Sequence, residues 1–211
     1  GAGVTFYAGG NSSDLQALRG RLDSEEIMAL FCEFPGNPLL NSPDLQELER
    51  LASTHEFPLV VDDTLAACIN LDLLPACDML TTSLTKFFSG TGDVMGGSIV
   101  LNPRRPLYAR LKQSLEQEYE DLLFADDAVV LEQNSRDVGE RVRRINRSTE
   151  RLCEMLRKHP AVARIDYPKF NTAENYRAFS RDGGGYGGLF SLLLHNPAEN
   201  APRFFDALRI C

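Results

Sequence analysis

The chain has 211 residues, 43% hydrophobic and 25% charged, enough to bury one large core or one core and part of a second. A formal charge of −8 disfavours a nucleic acid or an anionic membrane as partner, and no apolar run is long enough to cross a bilayer. The five cysteines, Cys32, Cys68, Cys77, Cys153 and Cys211, are odd in number and lack a C-x-x-C pair, so buried thiols in a reducing, cytoplasmic compartment are expected, not a disulfide framework. The stretch Gly1-Ala2-Gly3-Val4 has neither an initiator Met nor a signal-peptide pattern, and Leu208-Arg209-Ile210-Cys211 has no polar tail. Both ends are expected to be cuts within a longer protein.

In chain order, Val4 to Tyr7 predicts a short strand. Ser13 is placed to cap a helix with Leu15, Leu18 and Leu22 on its apolar face. Glu26 to Phe34 is a nearly continuous apolar run, the pattern of a strand covered on both faces. Pro35-Gly36-Asn37-Pro38 predicts a turn. Ser42 and Pro43 then start a helix whose buried stripe is Leu45, Leu48 and Leu51. Pro58 to Val61 is the next buried strand, and it ends in Asp62-Asp63-Thr64. Strand, helix and strand over this span make a βαβ unit, so the two strands should be parallel. Leu65 to Pro75 predicts an irregular crossover, and Asp78 to Leu84 the third strand. The link from Lys86 to Gly97 is Gly-rich and too short for a crossover, so Ser98 to Leu101 should return antiparallel.

Pro106 to Phe124 predicts a helix with Leu107, Leu111 and Leu115 on one face. Asp126 to His159 is helical almost throughout, with Val138, Val142, Ile145, Thr149, Leu152 and Leu156 as its stripe. Arg141, Arg143, Arg144 and Arg147 are expected on its solvated face. Val162 to Tyr167 and Leu189 to His195 predict strands, and Pro202 to Leu208 a helix. The glycines from Gly183 to Gly188 suggest a flexible surface loop. A division near residue 145 leaves an α/β domain, 1–145, before a smaller α+β piece, 146–211.

Polar groups sit at the carboxyl ends of three successive predicted strands: Glu33 with Asn37, Asp62, and Lys86. That edge is where open α/β sheets bind ligands. Taken singly, Asp62 reads as a loop cap and Lys86 as an exposed lysine. Together they suit pyridoxal phosphate, whose aldehyde takes a lysine, whose pyridinium nitrogen takes an aspartate, and whose phosphate takes hydroxyls. Lys86 would form the Schiff base and carry protons, helped by partial burial and a nearby cation. Ser83 and Thr85 alternate with Leu84, so on an extended chain both would face the phosphate. Asn37 could donate to the ring's phenolic oxygen. The glycines from Gly90 to Gly97 follow the lysine, opposite to the order in a P-loop, and suggest a tight turn. His55, His159 and His195 are isolated, so no metal site is expected.

The sequence resembles the Cys/Met-metabolism family of pyridoxal-phosphate enzymes, in particular its fungal cystathionine gamma-synthase branch. The resemblance covers essentially the whole chain. It is carried by 31–40 (Phe-Cys-Glu-Phe-Pro-Gly-Asn-Pro-Leu-Leu), 60–64 (Val-Val-Asp-Asp-Thr) and 83–90 (Ser-Leu-Thr-Lys-Phe-Phe-Ser-Gly), with 94–98 and 184–189 in support. It implies an α/β, aspartate-aminotransferase-like fold (fold type I): a mostly parallel sheet flanked by helices, plus part of a small α+β C-terminal domain. It implies a homotetramer built from catalytic dimers. It assigns Lys86 to the Schiff base, Asp62 to the pyridinium, Ser83 and Thr85 to the phosphate, and Asn37 to a ring oxygen. The implied reaction is γ-replacement on an O-acylhomoserine by cysteine, giving cystathionine. A lyase, a sulfhydrylase or a non-catalytic assembly module would share these residues. Two positions depart from the family pattern: Asp63, where many members have Asn, and Gly92, where many have His. The family's ring-stacking Tyr and substrate-carboxylate Arg are expected outside residues 1–211, so the chain alone is expected not to turn over substrate.

Overall fold

The computed structural model describes residues 3–209. Its first layer of helices is α1 (Ser12–Leu22) and α2 (Leu45–His55). They cover one face of a four-stranded sheet: β1 (Leu30–Glu33), β2 (Leu59–Asp62), β3 (Met79–Ser83) and β4 (Gly97–Leu101). The strands lie side by side in chain order. β1, β2 and β3 run parallel and β4 returns antiparallel, as the short glycine-rich link requires. Leu45, Leu48 and Leu51 of α2 pack with Leu59 and Val61 of β2 in one buried cluster, which Leu18 and Leu22 of α1 complete. The crossover between β2 and β3 contains only two short helical turns, Thr64–Ala66 and Leu74–Ala76.

Three further helices follow: α3 (Tyr108–Glu118), α4 (Ala125–Ser135) and α5 (Val138–Leu156). A second sheet pairs β5 (Val162–Asp166) antiparallel with β6 (Ser191–Leu194), with the short helix α6 (Ala173–Arg177) between them and α7 (Pro197–Ala207) after them. The two sheets meet through aromatic rings. Phe34, just after β1, stacks on Tyr176 of α6 at 6.4 Å between centroids.

Several boundaries differ from the sequence expectation. Val4 to Tyr7 forms no strand: no strand among the described residues pairs with it, and Val4 and Phe6 are 95% and 86% exposed. The run from Glu26 to Phe34 shortens to β1 and is covered on one face only, with Phe31 58% exposed on the other. Asn11, not Ser13, caps α1, because its side chain accepts from the free N–H groups of Ser13 and Asp14. Asp44 replaces Ser42 as the cap of α2 and accepts from the Glu47 N–H at 3.0 Å. The helix expected from Pro106 to Phe124 stops at Glu118. The long helix expected from Asp126 breaks at Arg136-Asp137. α7 begins at Pro197, five residues before the expected start at Pro202. Of the cysteines, Cys211 lies outside the described residues, and Cys32, Cys68, Cys77 and Cys153 are free thiols.

The buried stripe of α5 is Val142, Asn146, Thr149 and Cys153. Val142 and Thr149 face inward as expected, while Asn146 and Cys153 take inward places that the sequence did not assign, Ile145 is only half-buried and Leu152 is exposed. The glycine run Gly183 to Gly188 is no free surface loop. Asn70 and Asn146 clasp each other, with Asn146 donating to Asn70 at 2.8 Å and Asn70 donating back at 3.3 Å. Gly185 N–H donates to the Asn70 side chain and Gly187 N–H to the Asn146 side chain, each at 3.0 Å. A Cβ on Gly185 would come within 2.5 Å of Asn146, so only glycine lets the segment lie there.

Candidate active site

The carboxyl edge of the parallel sheet gathers the chemistry. Glu33 pairs with Asp62 across β1 and β2, so both side chains leave the same face of the sheet. Ser83 ends β3 and pairs with Gly97, where β4 begins. Thr64 joins the two inner strand ends. Its N–H donates to Asp62 Oδ1 at 2.8 Å, a local turn of the kind aspartate favours, and its hydroxyl accepts from the Ser83 N–H at 2.8 Å. The second oxygen of Asp62 has no protein partner among the described residues.

After Ser83 the chain leaves the extended conformation. Leu84–Phe88 forms one wide helical turn, closed by Ser89 N–H to Leu84 O at 2.9 Å and Gly90 N–H to Lys86 O at 2.7 Å. Inside it Lys86 departs from helical geometry, with φ −84° and ψ −113°. Wide turns of this kind recur at functional sites. A cavity of about 580 Å³ opens over this edge. Asn37, Asp62, Ser83 and Lys86 line it, with Glu33 beside them. Phe87, Ile145 and Leu189 form its apolar wall, and Gly90 and Arg141 close one side. The volume falls within the range of small-molecule sites.

Four of the five site residues read from the sequence therefore meet in one cavity, and Thr85 does not line it. The reasoning that put Ser83 and Thr85 on the same side assumed an extended chain, and the helical turn at Leu84 overturns that premise. The Thr85 hydroxyl instead accepts from the Gly96 N–H at 3.1 Å and holds the glycine loop. Lys86 is exposed, where partial burial was expected, because the cavity is open above it. Asn37 is held through its backbone: its N–H donates to Glu33 Oε2 at 2.7 Å, leaving its side-chain amide for the cavity.

The donor set fits pyridoxal phosphate. Among the described residues it comprises an amine without a partner, a carboxylate with one oxygen open, a Ser83 hydroxyl making no hydrogen bond, and a free amide. Asp63 turns the other way. It is buried and accepts from the Thr82 hydroxyl, and burial foremost pushes its carboxyl above the usual range.

The sequence reading missed Arg141. It was expected among solvated arginines, yet its side chain is 15% exposed and donates to the carbonyls of Phe87 at 3.2 Å and Phe88 at 2.7 Å. Its spacing held a usable signal: three residues after Val138 and four before Ile145, it belongs to the inward side of α5. Arg143, Arg144 and Arg147 are exposed as expected. A second depression, about 680 Å³ but shallow, lies on the outer face of α5 between Arg147 and Lys158. Two of its acids, Glu150 and Glu154, already share Lys169 at 2.7 Å each.

A family model for Cys/Met metabolism PLP-dependent enzymes matches residues 3–211. The chain is 44% identical over 209 residues to a cystathionine gamma-synthase of Neurospora crassa, covering 98% of this chain and 34% of that protein. It is 43% identical over 217 residues to the cystathionine gamma-synthase of Saccharomyces cerevisiae, again covering 98% of this chain and 34% of that protein. Among solved structures, a cystathionine gamma-lyase from yeast superposes with a TM-score of 0.79 at 28% identity, over 90% of this chain and 50% of that one. The chain thus spans about a third of the length of these curated relatives.

Proposed function

The chain belongs to the Cys/Met metabolism PLP-dependent enzyme family, and from that membership we propose that it forms part of an enzyme that replaces the γ-substituent of an O-acylhomoserine with the sulfur of cysteine, giving cystathionine. The observation that carries this reading is the Lys86 amine, without a partner among the described residues, lining the same cavity as Asp62, Ser83 and Asn37. The names of the Neurospora and Saccharomyces relatives support the choice of reaction.

When bound, pyridoxal 5′-phosphate would supply an electron-withdrawing pyridinium ring that takes up the electrons left when a proton departs from the substrate's α carbon. Lys86 Nζ would hold it covalently and would carry the proton at the substrate's α carbon. The open oxygen of Asp62 would hold the proton on the ring nitrogen. Ser83 would donate its hydroxyl hydrogen to the phosphate. Thr85, which the family resemblance assigns to the phosphate, would instead hold the glycine loop beside the site by accepting from the Gly96 N–H at 3.1 Å. The Asn37 amide would donate to the ring oxygen, and Glu33 fixes Asn37 in place. Residues 1–145 form part of the cofactor domain; 146–211 contribute the end of α5 and part of a smaller domain. The assembly is a homotetramer, a state that sedimentation of the full-length protein would test.

The deciding experiment has two arms on the full-length protein. Borohydride reduction in the presence of pyridoxal phosphate, followed by peptide mapping, should label Lys86; labelling of another lysine, or of none, overturns the site. O-Acylhomoserine supplied with cysteine should yield cystathionine. Product formed only with sulfide, or breakdown of cystathionine with no synthesis, would move the assignment to a sulfhydrylase or a lyase of the same family.

A further inference from the structure

We propose that Arg141 is a positioning residue, which reaches from α5 to fix the turn that carries Lys86. The inference rests on the assignment of Lys86 as the attachment point, and it concerns how that amine is aimed. A single turn such as Leu84–Phe88 ends in carbonyls with no partner further along a helix. Arg141 supplies one for two of them, with Nη2 on Phe88 O at 2.7 Å and Phe87 O at 3.2 Å. Nη1 is committed elsewhere, to Asn134 O at 3.2 Å and to the Asp137 carboxylate. The guanidinium therefore bridges the break between α4 and α5 on one side and the lysine turn on the other. Asp137 offsets part of its charge, so its contribution is the rigid fork more than a positive field.

Two further observations fit this role. Gly90 has φ +81°, and a Cβ there would sit 2.5 Å from Arg141 Nε, so the glycine vacates the space that the guanidinium fills. Arg141 Nε is buried with no partner among the described residues. The side chain thus gives up one hydrogen bond to keep Nη2 on the two carbonyls. Arg143, Arg144 and Arg147 leave the same helix into solvent.

The test uses the full-length protein with Arg141→Met, Arg141→Lys and Gly90→Ala, and Arg144→Met as control. Hydrogen exchange of the cofactor-free protein comes first. The amides of residues 89 and 90, which close the turn, should lose nearly all of their protection in the first three variants and exchange at the parental rate in the control, as expected when the ordered turn is populated only about a tenth of the time. The same population makes the pyridoxal phosphate dissociation constant about tenfold higher, with parental borohydride trapping at Lys86 restored at saturating cofactor. Arg141→Lys should resemble Arg141→Met, because a point charge cannot hold two carbonyls as a fork does. Parental exchange in Arg141→Met, or parental behaviour of Arg141→Lys, overturns the proposal. If Arg141→Met fails to fold, the lysine and Gly90→Ala variants carry the same comparison. A parent protein that traps no cofactor at Lys86 refutes the functional reading, while the exchange rates still decide what Arg141 does.

Discussion

Asp62 and Asp63 are neighbours with opposite surroundings, because alternate residues at a strand end face opposite sides. Asp62 opens to the cavity, and under the proposed function its substitution by Asn would remove the ring-nitrogen partner. We expect Asp62→Asn to cost about 2–3 kcal/mol of cofactor binding or turnover, roughly 30- to 150-fold; retention of parental kinetics would remove Asp62 from the site. Asp63 is buried, and its raised pKa means that the native state holds this proton more tightly than the unfolded chain does. Its contribution to stability is full below the ordinary carboxyl pKa of about 3.9 and is lost as pH rises through the raised native value. Asp63→Asn keeps an acceptor for Thr82 and escapes that loss. Its urea midpoint near neutral pH should exceed the parent's, and the difference should shrink toward about pH 4. The thiols extend the same physics. Burial pushes Cys77 up to about 12 and Cys153 up to about 11, so both should resist a thiol reagent near pH 8 until denaturant is added.

Among the elements, the junction of α5 with the segment from Gly183 to Gly188 depends most on a few bonds. Asn146→Ala would leave the Gly187 N–H without its acceptor and the Asn70 amide without its partner in a buried place. Each orphaned group costs about 1–3 kcal/mol, so a loss of about 3 kcal/mol in denaturant titrations is expected. Asn70→Ala should cost a similar amount, and the double variant much less than the sum, because the two side chains form one unit. Additive losses would show that the clasp is not shared. By contrast, Asp44→Ala removes only the cap of α2 and should cost about 1 kcal/mol.

For the molecule as a whole, the cavity is open on the side of Lys86, and Glu33 and Asn37 are also exposed. Exclusion of water strengthens every charge interaction that such a reaction uses. The 211-residue polypeptide is therefore expected to show no turnover of O-acylhomoserine, while the full-length protein does; robust activity from the short chain would contradict this. Large apolar side chains at Phe31, Ile99, Leu122 and Phe124 are exposed as well, so the short chain should also self-associate on a sizing column. Among the described residues no helix is long and apolar enough to cross a membrane.

The sequence by itself determined the βαβ core, the antiparallel return of β4, and the placing of Asn37, Asp62, Ser83 and Lys86 at one edge. Apolar runs, turn residues and strand direction are local, and parallel pairing then brings successive strand ends together. Tertiary structure decided what locality cannot. Whether Arg141 meets solvent or two carbonyls depends on how α5 sits beside carbonyls 53 and 54 residues earlier in the chain. Whether Gly183 to Gly188 is loose or clasped depends on Asn70 and Asn146, which are 76 residues apart and meet only in the folded chain. Thr85 shows the same limit at one residue: the change from strand to helical turn at Leu84 redirected its hydroxyl from the cavity to the glycine loop.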